Sequence, residues 1–230
     1  MEVNKDVNRN NLLKGYNMLL YFTGSMITYE PTEECVADFW KNGLVKSMPV
    51  SSTNPRFMTA LSQFRDSCLD KTFCVSMMRE DFKRLFAVGE SALAPLIGSY
   101  YSYGSSDTNN SHDKVREFYD SYDWTSRLRG KIPDDHLGVE LLFLSQLVEE
   151  YIMLDDKACC SEMQNEIIRF IDQHILSWIP QWNHLIQKHA DTLCYKSIGT
   201  LIYALAEDIR NLMVSKRDSD RSVEVLKNQD

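Results

Sequence analysis

The twenty residues IPDDHLGVELLFLSQLVEEY, 132–151, decide how the rest of the chain is read. From Leu137 the apolar positions fall at 137, 141, 144, 148 and 151, three or four apart, which is the repeat of one helix face. Pro133 and an aspartate stand just ahead of them. A helix start wants that combination: a fixed φ, an acceptor for open N–H groups, and negative charge at the positive end of the dipole. The spacing predicts a helix that begins after the acidic turn and runs to about Leu154. His136 and Glu140 lie four apart on it and suit a surface ion pair.

The same period recurs on both sides. Leu12, Leu13, Tyr16, Leu19 and Leu20 form a stripe, and Val36, Phe39 and Trp40 resume it after a break at Pro31. NGLVKSMPVSSTNPRF reads as a connection with stops at Pro49 and Pro55, and helices are expected from about Met58 to Cys68 and up to about Phe86. KVREFYDSYDW is a short amphipathic helix. EMQNEIIRFIDQHILSWIPQW opens another, Pro180 starts a new turn, and Cys194, Ile198, Leu201, Leu205, Ile209 and Leu212 mark the last. No stretch alternates apolar and polar as a half-buried strand does, and 9 glycines and 6 prolines are too few for the turns of a sandwich or barrel. The class is all-α: a compact helical bundle of two sub-domains. Its divisions are residues 1–103, a polar hinge loop GSSDTNNSHD at 104–113, residues 114–214, and a charged flexible tail at 215–230. No repeat of fixed period suggests a solenoid.

Composition narrows the function. A formal net charge of −8 disfavours nucleic acid and anionic membranes as partners. No window of 18 apolar residues is present, so no stable membrane insertion is expected, and MEVNKDVNRNNLLKGYN lacks the basic-then-apolar plan of a secretion signal. A cytoplasmic location follows as an expectation. The six cysteines (35, 68, 74, 159, 160 and 194) show no Cys-x-x-Cys spacing, so small buried thiols are expected rather than a zinc or redox pair. Glu-x-x-His and His-Glu-x-x-His are absent, and so are glycine-rich phosphate loops and the Gly-x-Ser-x-Gly elbow. His184 and His189 are five apart and point to different sides of a helix. No catalytic residue, metal ligand or cofactor is nominated.

Two features point to a peptide partner. Between Pro133 and Glu166 acids stand at 134, 135, 140, 149, 150, 155, 156, 162 and 166 against one base, Lys157, a solvated acidic face that favours a cationic peptide. Upstream, DFKRLF and APLIGSYYSYG supply Phe82, Leu85, Phe86, Pro95, Leu96, Ile97, Tyr100 and Tyr101 around a loop. That much apolar mass on a loop either packs down or forms a groove, and a groove beside carboxylates suits a peptide with a basic end and an apolar helical stretch.

The order of these pieces resembles a known family. DFKRLFAVGESALAPLIGSYY resembles an acidic-aromatic-x-x-Leu-Phe stretch followed by a proline loop and Ser-x-Tyr, and VREFYDSYDW the helix after it. PDDHLGVELLFLSQL resembles a Pro-acid-Asp-His-Leu-x-x-Glu-Leu-x-Phe-Met signature, and FIDQHILSWIPQW a Phe-x-x-x-His-Leu-x-x-Trp-x-Pro element. Together they are similar to the TorD/DmsD chaperones of redox enzymes, including nitrate reductase delta-like assembly factors, over roughly residues 10 to 212. Leu144 stands where that family commonly has Met, a volume-conserving change, and Leu96-Ile97 replace a stretch that often holds an aromatic residue. The resemblance implies a non-enzymatic protein that binds the twin-arginine signal peptide, or the apo form, of a molybdopterin-dependent oxidoreductase until its cofactor is inserted, as a monomer or a domain-swapped dimer. It implies that Asp135 and His136 recognise the peptide, flanked by Pro133 and Glu140, with Ser99 and Tyr101 from the loop. The same pair equally suits a helix cap that fixes the junction of the two halves. Two alternatives stay open: an assembly factor that recognises a non-exported subunit without a signal peptide, and a small metal-dependent hydrolase using acids such as Glu149 and Asp155.

Overall fold

A computed structural model describes residues 2–37, 52–67, 71–86, 91–101 and 110–227. Phe39, Trp40, Pro49, Cys68, Gly89 and residues 104–109 of the expected hinge lie outside them. The described chain is helical: α1 (Glu2–Thr28), α2 (Glu33–Val36), α3 (Pro55–Asp66), α4 (Lys71–Phe86), α5 (Gly98–Tyr101), α6 (Asn110–Asp120), α7 (Leu137–Met153), α8 (Lys157–Phe170), a π-helical turn (Ile171–Ile175), α9 (Ile179–His189) and α10 (Leu193–Lys227). Among the described residues the β contacts are two isolated bridges, Ile97 with His136 and Arg129 with Ile132. The all-α class stands.

Helix α7 lies at the centre. The sequence suggests one apolar stripe, yet Val139, Phe143 and Leu147 are as buried as Leu137, Leu141, Leu144 and Val148. A helix that is apolar on every side is one surrounded by others. Helix α1 crosses it through small residues: Gly24 sits against the Leu141 side chain, and a Cβ on Gly138 would overlap Thr28 Oγ1. The long α10 packs on α1, α3, α8 and α9. Helices from both halves of the chain therefore share one core, in which Leu13, Leu20, Phe57, Phe64, Leu144 and Leu201 are all fully buried.

Caps explain several boundaries. Asn54 accepts from Arg56 N ahead of α3, and Asp156 accepts from Cys159 N ahead of α8. Asp81, buried in α4, accepts from Asp191 N, Thr192 N and the Thr192 hydroxyl, so a carboxylate from another helix closes the start of α10. The π turn shifts the register between α8 and α9, and Arg210 of α10 clamps it through two hydrogen bonds to Asp172.

Three expectations change here. Asn110–Asp113, part of the expected hinge, form the first turn of α6. Residues from 215 onward continue α10 to Lys227, while the last described side chain in the core is Met213. The thiols differ in environment: Cys194 is buried, but Cys159 is exposed, Cys160 half-buried and Cys74 disulfide-bonded.

Candidate functional site

The loop 91–101 and the turn 132–138, 36 positions apart in the case of Ser99 and Asp135, are stitched together in space. At the near end Leu93 N and Ala94 N donate to the carbonyls of Arg84 and Leu85, the C-terminal turn of α4. At the far end Leu137 N donates to Leu96 O at 2.8 Å and Gly98 N to Asp135 O at 2.9 Å, around the bridge of Ile97 with His136. The segment is a strap laid from α4 across the start of α7.

Asp135 fastens the strap with its side chain. Its Oδ2 accepts from Ser99 N at 2.9 Å, on the single turn of α5, and the residue is only 1% exposed. Its Oδ1 is buried without a hydrogen-bond partner. An aspartate is therefore not the cap of α7. His136 is: its Nδ1 accepts from Gly138 N at 3.1 Å. That bond requires a neutral ring at Nδ1, and burial pulls the imidazole pKa down to about 4 although Asp135 pulls the other way.

Glu140 corrects the expected surface ion pair. It is 2% exposed, and among the described residues no ion pair reaches it. One carboxyl oxygen, Oε2, is buried without a partner. Burial first and the Asp135 charge second push its pKa well above the ordinary carboxylate value, which favours the protonated acid. The indole N–H of Trp178 opposes this, but that proton is already donated to the His174 carbonyl at 2.6 Å. Asp135 and Glu140 thus depart from the solvated acidic face read from the sequence. Asp134 is half-buried, 3.8 Å from His112 Nε2, and lines a small cleft with Arg116, Trp124 and Arg129.

The apolar candidates divide. Tyr101 stacks on Trp178 with ring centres 5.1 Å apart, and its hydroxyl donates to Pro95 O at 2.8 Å. Ile97 and Ser99 lie half-buried over Asp135 and His136, and Pro133 is exposed at the turn. Phe82 and Phe86 pack instead on Tyr195 of α10, with Leu85 fully buried. The loop's apolar mass therefore mostly packs down; Tyr100 at 50% and Leu93 at 37% are what it shows to solvent.

The sequence reading passes over three residues that shape this site. Trp178 backs the strap so closely that a Cβ on Gly98 would stand 3.1 Å from its Nε1. Tyr119 of α6 donates to the Asp134 carbonyl at 3.1 Å and closes the other side. All three stand within stretches that the resemblance runs through, Trp178 in FIDQHILSWIPQW, Gly98 in APLIGSYYSYG and Tyr119 in VREFYDSYDW, but nothing local to those stretches brings them together.

The site is a buried knot of carboxylates and rings under a backbone strap, and among the described residues no three or more His, Cys, Asp or Glu are grouped to hold a metal ion. A family model described as nitrate reductase delta subunit matches residues 54–184, more than half of the chain, and the chain belongs to that family. The family is one of TorD-type chaperones that mature molybdoenzymes and whose clients are molybdoenzyme subunits; it is not a catalytic family. A comparison with curated proteins gives no match. No helix among the described residues is long and apolar enough to cross a membrane.

Proposed function

We propose that this protein is a cytoplasmic chaperone that binds the twin-arginine signal peptide of a molybdopterin-dependent oxidoreductase and holds the apo-enzyme until its cofactor is inserted. The observation that carries the reading is Asp135. It is a buried carboxylate with one oxygen committed to the strap and the other free of any hydrogen bond. A guanidinium offers two parallel N–H donors to such a group, and the strap's Ile97, Tyr100 and Tyr101 offer an apolar neighbour for the residues that follow the arginines.

A second reading is favoured by the same residue's burial. At 1% exposure Asp135 meets an arginine only after the strap lifts, so a protein recognised by other surfaces, such as a folded apo-subunit without a leader, also fits. Calorimetric titration separates the two. The full chain is titrated with the twin-arginine leader of a molybdoenzyme from the same genome, with the Arg-Arg→Ala-Ala leader, and with the leaderless apo-subunit. The first reading expects heat with the leader, about tenfold or greater weakening with Ala-Ala, which removes two charged partners, and comparable weakening in Asp135→Ala whose helicity by circular dichroism is unchanged. Binding confined to the leaderless subunit overturns it in favour of the second.

A further inference from the structure

The unpartnered oxygens of Asp135 and Glu140 belong to one buried site. The turn that carries Asp135 leads directly into the first turn of α7, which carries Glu140, and the Asp135 charge acts on Glu140. The groups around them supply little positive compensation. From α6 comes Tyr119, whose hydroxyl is spent on the Asp134 carbonyl. From the end of the π turn comes Trp178, spent on His174. The strap gives the Ser99 N–H to Asp135 Oδ2, and α1 brings Thr28, whose hydroxyl donates to Gly24 O. The turn itself adds Asp134 and the neutral His136. Asp135 Oδ1 and Glu140 Oε2 are therefore two acceptors with no donor, a costly arrangement for two charges in a low dielectric.

We propose that Asp135 and Glu140 act as a single carboxylate pair that holds a proton while the strap is closed and releases it to solvent when a client's guanidinium enters. The step balances: the Glu140 carboxylic acid becomes a carboxylate, the proton leaves to buffer, and the arriving guanidinium keeps its own charge against two carboxylates. The inference rests on the reading that a client arginine enters at Asp135, and it gives Glu140 a role there: a proton coupled to binding. The closed strap is then the resting state of an unloaded chaperone, its acid pair neutralised from within until a cation replaces the proton.

The test is the same leader titration run at one pH in phosphate and in Tris, whose ionisation enthalpies differ, and then repeated across pH. Release of a proton makes the apparent enthalpy depend on the buffer. It also makes affinity rise with pH by about tenfold per unit while Glu140 is protonated in the free protein. Glu140→Gln keeps the shape and cannot lose the proton, so it binds with a buffer-independent enthalpy and a flat pH profile. Leader binding with no buffer dependence in the unmodified chain, or a release that persists in Glu140→Gln, overturns the proton coupling and leaves the leader site standing. Absence of heat with every leader overturns the leader site and this inference with it. The buffer series on the unmodified chain decides the matter even where the variant does not fold.

Discussion

At His136 the lone pair of Nδ1 is committed to the Gly138 N–H, and the proton of the neutral ring is left on Nε2. Burial outweighs the attraction of Asp135 and holds the folded-state pKa at about 4, below the ordinary 6.5. Between those values the unfolded chain takes up the proton more readily than the folded one. The stability His136 contributes is therefore present above pH 6.5 and lost as pH falls toward 4, by about 1.4 kcal/mol per pH unit at the steepest. His174, buried with Arg169 and Lys114 nearby, is likewise lowered to about 4 and acts in the same window. Glu140 has the opposite sign: its raised pKa gives stability that is full at low pH and is lost as pH rises through the folded value. His136→Asn keeps an acceptor for the Gly138 N–H and removes the titration. Urea midpoints of the unmodified protein are expected to fall more steeply than those of the variant between pH 6.5 and 4.5, and parallel curves would show that the ring is not held neutral.

Helices α1 and α7 meet where neither has a side chain to spare. Thr28 Oγ1 is held by its bond to Gly24 O at 2.7 Å, and a methyl on Gly138 would land on it. Alanine at 138 gains helix propensity of about 1 kcal/mol or less, but the overlap forces α1 away, at a cost of about 1–3 kcal/mol. The net expectation for Gly138→Ala is a lower urea midpoint. Thr28→Ala removes the obstructing oxygen, so the double variant is expected to recover by at least about 0.5 kcal/mol relative to additivity; strict additivity would place the strain elsewhere. At this scale the sequence speaks unevenly. The period from Leu137 to Tyr151 announces α7 and its end, because helix spacing is a local property. The closeness of Gly138 to Thr28 is not local, and nothing in the repeat marks that glycine as a contact. The cap is not legible for the same reason: an aspartate before a helix is the common acceptor, and only Ser99, 36 positions upstream, shows why Asp135 is turned away and His136 takes its place. Glu140 reads as a surface acid until Trp178 is placed against it.

Across the whole molecule α10 joins the two halves, since Asp208 receives Tyr16, Ser52 and Asn54 from the N-terminal part while Arg210 grips the π turn of the C-terminal part. The charge run that begins at Ser215 reads as a tail because it lacks apolar mass, but the same Lys, Arg and Glu residues are good helix formers, and the backbone stays helical to Lys227. Among the described side chains Ile209 and Met213 are fully buried, and Ser215 is exposed. Ending the chain after Ser215 is therefore expected to leave the urea midpoint and slope close to those of the full chain, within about 0.5 kcal/mol, as for changes outside the core. Ending it after Leu205 removes Ile209, Met213 and the Asp208 and Arg210 junctions together. The two large buried apolar side chains cost about 2–5 kcal/mol each, and with the two polar junctions the loss becomes comparable to the 5–15 kcal/mol by which a domain is folded, so a chain of that length is expected to show no cooperative transition. A loss of more than about 1 kcal/mol in the longer truncation would mean that residues beyond Ser215 pack on the body and belong to the domain. A cooperative transition in the shorter one would mean that the two halves hold together without the junction that α10 makes.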